Sequence, residues 1–155
     1  MKEIQLTHGR IALVDDILFA EFSKLKWSFH QGYAKRNFPK KTGGRVLMGM
    51  HRFIMNAQKG QEVDHIDGNR LNNQRSNLRI CSHSQNQMNR AMAANNTSGF
   101  KGVVWDKNVN KWRSEIKINK IKKCSGYFVD KKDAAVAYNN AARKYFGEFA
   151  RLNII

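Results

Sequence analysis

From Gln61 to Ala94 the residues read as strand, long polar loop, strand and helix, an order that leaves few ways to fold. The first strand is Glu62-Val63-Asp64-His65-Ile66, the polar loop begins at Gly68, and Asn77-Leu78-Arg79-Ile80 returns. Ser82 or Ser84 then caps a helix through Gln85, Asn86, Met88, Asn89 and Arg90. Strand alternation puts Asp64 and His65 on opposite faces, so the two cannot share one task. A helix folded over the hairpin can bring Asn86 beside one of them.

Residues 1–50 read as an antiparallel β region. Ile4-Gln5-Leu6-Thr7 and Ile11-Ala12-Leu13-Val14 flank a turn at His8-Gly9-Arg10, and Trp27-Ser28-Phe29 with Gly32-Tyr33-Ala34 form a second short pair. Asp15 or Asp16 is placed to cap a helical turn carrying Leu18, Phe19, Phe22 and Leu25, and Phe19, Phe22 and Trp27 are core candidates. Pro39 to Gly44 is a basic loop, followed by apolar Val46-Leu47-Met48 and a helix over His51-Arg52-Phe53-Ile54-Met55.

Asn77 lies thirteen residues after Asp64 (77 − 64), and Asn86 nine further on (86 − 77). A lone Asp-His pair on a strand is ordinarily structural, and Asn-rich loops are ordinarily solvated turns; the set is worth more than its members. A carboxylate plus an amide oxygen, Asp64 with Asn86, is a hard, sparse ligand pair that suits Mg²⁺, with Mn²⁺ a further candidate. The His65 imidazole beside such an ion can take a proton from an attacking water. His8 and His83 have nothing tying them to this set and read as surface or capping residues.

The stretch VDHIDGNRLNNQRSNLRICSHSQNQMNR resembles the HNH nucleases, in the subgroup of homing and mobile-element endonucleases, over about residues 45–90. The resemblance implies a ββα-metal fold in which Asp64 and Asn86 hold one divalent metal, His65 is the general base and Asn77 braces the hairpin loop. The third motif position is Asn rather than His, which argues against tightly bound zinc. His51, with Arg52 beside it, matches a position often found upstream of the core, and a phosphate-facing role is assigned to both.

Residues 100–129 alternate as strands do: Trp112, Ser114, Ile116 and Ile118 share one face, and Arg113, Glu115 and Lys117 the other. Turns at Asn108–Asn110 and Asn119-Lys120 make a three-stranded meander. A helix follows, capped by Asp130 and ended by Gly147, with an apolar stripe of Ala134, Ala135, Tyr138, Ala142 and Tyr145. The meander holds eight Lys or Arg against Asp106 and Glu115. The DNA-contact candidates are Lys101, Trp105, Lys111, Trp112, Arg113, Lys117, Lys122 and Lys123, the arginine gripping guanine and the tryptophans packing on sugars or thymine methyls. The pattern GFKGVVWD…KWRSEI…CSGYF…DAAVAYNNAARKYFGEFARLN resembles the Apetala-two/ethylene-response-factor domain over about residues 99–153, which reads DNA with a helix-backed sheet. Val104 and several lysines stand where plant members carry base-reading arginines, so the plant target does not carry over.

Charge supports both halves. Lys and Arg number 28 against 12 Asp and Glu in 155 residues, a net charge of +16 that suits a polyanionic partner. Residues 1–98 hold 15 basic and 7 acidic side chains, and residues 99–155 hold 13 and 5. The small polar stretch Ala91–Gly99 is the expected boundary between a nuclease domain over 1–98, its core about 45–94, and a DNA-binding domain over 99–155. No apolar run approaches the roughly 18 residues of a membrane span. Met1-Lys2-Glu3-Ile4 lacks the long apolar segment of a signal peptide, so none is expected, and Cys81 and Cys124 are too few for a disulfide framework and read as buried small hydrophobes.

The expectation is an α+β protein: a ββα-metal core with an N-terminal β region, then a three-stranded antiparallel sheet packed on one helix. Its expected activity is that of a cytoplasmic, metal-dependent DNA endonuclease on double-stranded DNA, with no small-molecule cofactor beyond the metal, as a monomer or a dimer. The alternative is a non-catalytic DNA-binding regulator that keeps the nuclease fold as a scaffold.

Overall fold

The structure is a computed structural model describing residues 1–119 and 121–155. Lys120, in the second expected turn of the meander, lies outside the described residues. The chain divides into two compact units, Met1–Asn86 and Gln87–Ile155.

In the first unit β1 (Lys2–Gln5) pairs antiparallel with β2 (Ile11–Val14) across a 3-10 turn at Thr7–Gly9. Helix α1 (Asp16–Phe22) follows. The expected cap does not form: Asp15 makes no side-chain capping bond and its Oδ2 instead accepts from the Arg75 N–H at 2.8 Å. A second sheet has the order β3 (Ser28–His30), β4 (Tyr33–Pro39), β5 (Arg45–Gly49), all antiparallel. Strand β4 thus runs well past the expected Gly32–Ala34 segment, and the basic loop is the turn that joins it to β5.

Helix α2 (Met50–Ile54), strands β6 (Glu62–His65) and β7 (Leu78–Cys81) and helix α3 (His83–Met88) complete the first unit, α3 continuing across its end. Ser82, not Ser84, caps α3: its Oγ accepts from Gln85 N at 3.2 Å while Gln85 Oε1 accepts from Ser82 N at 2.8 Å. The core gathers Ile4, Ala12, Val14, Phe22, Trp27, Ala34, Met50, Val63 and Leu78. Phe22 stacks on Trp27 and meets Phe53 edge-on, and Phe38 stacks on Phe53 at 5.1 Å. These rings fasten α2 to α1 and β4, and with it the position of His51.

In the second unit β8 (Val103–Asp106), β9 (Lys111–Ile118) and β10 (Ile121–Phe128) form an antiparallel sheet in the order β10-β9-β8, backed by α4 (Lys131–Phe146). Asp130 caps α4 by accepting from Lys132 N, and Gly147, at φ 53°, ends it. The buried stripe is Ala134, Ala135, Tyr138, Ala142 and Phe146; Tyr145, expected in it, is exposed, because the last turn faces the core one residue later. Met88 packs against this core and its carbonyl accepts from Lys101 Nζ at 2.6 Å, so the Ala91–Gly99 stretch lies inside the second unit. Cys81 is buried, and burial pushes its thiol up to about 11; Cys124, expected to be buried, is exposed on β10.

Candidate active site

The β6–β7 register pairs Glu62 with Cys81, Asp64 with Arg79, Val63 with Ile80 and His65 with Leu78. One face of the hairpin therefore carries Glu62, Asp64 and Arg79, and the other carries His65. Asp64 and His65 are both deeply buried, at 5% exposure each.

On the first face Arg79 grips Asp64 Oδ2 through Nε at 2.9 Å and Nη2 at 2.6 Å. Asn86, from α3, donates through Nδ2 to Glu62 Oε2 at 2.6 Å, and His83 Nδ1 lies 2.7 Å from Glu62 Oε1. These two side chains hold the Glu62 carboxyl below its ordinary range, the Asn86 bond first. Asn86 thus joins the Asp64 face of the hairpin, but through Glu62, a residue outside the motif although the i, i+2 spacing already places it beside Asp64. His83, read from sequence as a surface or capping residue, is exposed, and its ring reaches Glu62 in this cluster. No group of three or more His, Cys, Asp or Glu arranged to hold a metal occurs among the described residues. The donor chemistry still fits a hard cation: two carboxylates on one strand face and an amide whose N–H₂ is engaged, leaving its oxygen as the acceptor end. Such a cation would share Asp64 with Arg79.

On the opposite face His65 meets the ring of His51 at 5.1 Å and that of Tyr33 at 6.1 Å, and Tyr33 lies 5.0 Å from His51. Arg70 stacks on Tyr33 at 4.9 Å. Burial lowers the His65 pKa, and a side-chain hydrogen bond with Asn73 opposes the shift. Burial, together with His65, Arg52 and Lys35, brings the His51 pKa down to about 3. Its Nδ1 makes no hydrogen bond among the described residues. Arg52 donates to the carbonyls of Ala57, Gln58 and Gln61, which ties down the chain between α2 and β6.

Asn77 spans the neck of the polar loop. Its Oδ1 accepts from Asp67 N at 3.0 Å, its Nδ2 donates to Asp67 Oδ1 and to the Asn72 carbonyl at 2.9 Å each, and its carbonyl accepts from Ile66 N. The loop is also docked from outside: Leu13 of β2 donates to the Leu71 carbonyl and accepts from Asn73 N, both at 2.8 Å. The N-terminal ribbon thereby positions Asn73, fully buried, beside His65. Nothing local in the sequence distinguishes Asn73 from its neighbour Asn72.

In the second unit, register separates the DNA-contact candidates. Lys111, Arg113, Lys117 and Lys122 share the outer face of the sheet, whereas Trp105, Trp112 and Lys123 align with Ile116 on the face that α4 covers. Trp105 and Trp112 meet edge-on at 5.1 Å, and Trp112 packs on the core, which takes it away from sugars and bases. Arg113 is held by Asp106 at 2.8 Å and Glu115 at 3.1 Å, and Lys122 by Glu115. Lys101 points inward to Met88.

Residues 50–88 match the family described as HNH endonuclease. This HNH domain covers α2, the β6–β7 hairpin and α3. An uncharacterized HNH endonuclease of Acanthamoeba polyphaga mimivirus is 35% identical over 114 residues, 70% of this chain and 58% of its own length. Protein 3.8 of Escherichia phage T7 is 43% identical over 58 residues, 37% of this chain and 48% of its own. The chain thus spans about half the length of these relatives. No solved structure matches it. No helix among the described residues is long and apolar enough to cross a membrane.

Proposed function

We propose that the chain is a metal-dependent DNA endonuclease of the HNH type, with His65 as general base, Asp64 and Asn86 as ligands for Mg²⁺ or Mn²⁺, and Asn77 as the brace of the loop. The observation that carries this reading is that the HNH match falls on the hairpin and helix holding all four residues. Burial lowers the His65 pKa, which favours the neutral imidazole, the form that accepts a proton. His65 takes that proton from a water whose oxygen attacks phosphorus in line while the bond to the 3′ oxygen breaks; the leaving oxygen takes a proton from a second solvent water, giving a 5′-phosphate and a 3′-hydroxyl. Bound at Asp64 and Asn86, the cation supplies charge neutralisation at the phosphate and the leaving oxygen. The outer face of the C-terminal sheet, with Lys111, Arg113, Lys117 and Lys122, supplies site preference as an ethylene-response-factor-like module. The resemblance over about residues 45–90 supports a homing or mobile-element type.

A second reading is favoured by the Arg79 pair on Asp64, which suits a nuclease fold kept as a DNA-binding scaffold. Supercoiled plasmid incubated with the chain, with and without Mg²⁺, separates the two. Nicking that needs Mg²⁺ and is lost in His65→Ala supports the endonuclease; binding without nicking under every divalent metal tried leaves the scaffold.

A further inference from the structure

Several cations of the first unit are engaged internally by hydrogen bonds or ion pairs: Arg52 and Arg75 on backbone carbonyls and Arg79 on Asp64. Three others stand apart. Lys26, Arg36 and Arg45 line a cleft of about 300 Å³ together with Thr7, Ser28 and Asn37, and no carboxylate contributes to its wall. Among the described residues none of the three cations forms an ion pair. The Arg36 guanidinium is laid over the Phe38 ring at 5.5 Å, and its buried Nη1 has no hydrogen-bond partner among the described residues. A donor held in place, buried and unsatisfied is expensive unless an acceptor arrives.

We infer that this cleft, on the β3–β4–β5 sheet and outside the HNH match, is a phosphate-binding site for the DNA backbone. The inference rests on the proposed reading that DNA is the substrate. Guanidinium forks match phosphate oxygens, and a lysine, the Thr7 hydroxyl, whose oxygen already accepts from Phe29 N, and the Asn37 amide supply further donors. The lining has no aromatic or aliphatic wall for a base or a cofactor ring, and the volume sits at the lower limit of small-molecule sites. A phosphodiester group fits these properties, and the site would hold the duplex against the nuclease unit at a second point.

The test is duplex binding by the full chain over a salt series, measured with His65→Ala as background so that the DNA stays intact. The variants are Arg45→Gln, Lys26→Gln and Arg36→Gln. Each phosphate left without its cation should make the slope of log affinity against log salt shallower by about 0.9. Arg36 packs on Phe38, so Arg45→Gln with Lys26→Gln is the pair that decides, its fold verified by circular dichroism. A shallower slope and weaker binding in that pair support the site. Thermal stabilisation of the duplex-free protein by inorganic phosphate, with the slope unchanged in the pair, assigns the cleft to free anions and overturns the DNA assignment. An unchanged slope with normal plasmid nicking by the parent sinks this inference only; a shallower slope with no nicking by the parent sinks only the endonuclease.

Discussion

The His51 imidazole stands edge-on to that of His65, ring centres 5.1 Å apart and planes inclined by 63°. Helix α2 delivers one ring and β6 the other, and the aromatic cluster around Phe53 fixes α2. Gly49 makes room, since a Cβ there would stand 2.5 Å from His51 Cε1.

His51→Ala should therefore loosen His65 and slow single-turnover nicking on the order of tenfold with DNA affinity unchanged, while His51→Phe, which keeps a ring against His65, restores most of the rate. Gly49→Ala should reproduce the loss by displacing the His51 ring. Wild-type rates in both His51→Ala and Gly49→Ala would remove any role for this contact.

The Asp64–Arg79 pair is buried on both sides, so removing one partner strands the other charge. Arg79→Ala should cost about 3–5 kcal/mol in urea unfolding at neutral pH, and adding Asp64→Asn should recover part of it. A double-variant cost equal to the sum of the Arg79→Ala and Asp64→Asn single costs would show that the two side chains do not interact.

Metal affinity should depend on both proposed ligands. Calorimetric titration of Mg²⁺ or Mn²⁺ in the presence of uncleavable duplex should lose its signal in Asp64→Ala and in Asn86→Ala, because a sparse ligand set relies on every member. Retained affinity in both would move the cation elsewhere, with Glu62 the first residue to examine.

Sequence pattern carries the hairpin and its helix because the information there is local: alternation around Val63 and His65, and the Ser82–Gln85 box that starts α3. It also carries the alternation of β9, yet a single DNA surface holding both Trp112 and Arg113 conflicts with that same alternation, since neighbours on a strand face apart. What pattern does not carry is the docking of β2 on the polar loop. The Leu13 to Asn72 bridge spans most of the unit and depends on backbone groups, so no side-chain signal marks it. The burial of Asn73 and the diversion of Asp15 to Arg75 follow from that docking.

Lys101 gives a pH signature to the second unit. Burial, with Arg151 nearby, lowers its ammonium from an ordinary 10.5 to about 8. Below pH 8 both states hold the proton; between about 8 and 10.5 the unfolded chain keeps the proton the folded chain has released, so stability rises with pH in that window. Urea unfolding at about pH 7.5 and pH 10 should show this rise in the wild type relative to Lys101→Met. Parallel pH dependence in the two would place the lysine in solvent.

The two faces of the C-terminal sheet should separate in mutagenesis. Trp112 packs on the core while Arg113 stands on the outer face, where Asp106 and Glu115 hold its guanidinium. Trp112→Ala should destabilise the unit by about 3–5 kcal/mol and change DNA affinity only through unfolding. Arg113→Ala should leave folding nearly intact and, if the arginine reads a base, relax preference for the target by about 1–3 kcal/mol. Lys117, exposed on the same outer face, should act differently, weakening all duplexes alike and making the salt slope shallower by about 0.9. Binding of target and scrambled duplexes over a salt series, beside thermal unfolding of each variant, distinguishes these outcomes. Should Arg113→Ala and Lys117→Ala both bind like the wild type, the outer face is not the DNA surface, and affinity must come from elsewhere in the chain.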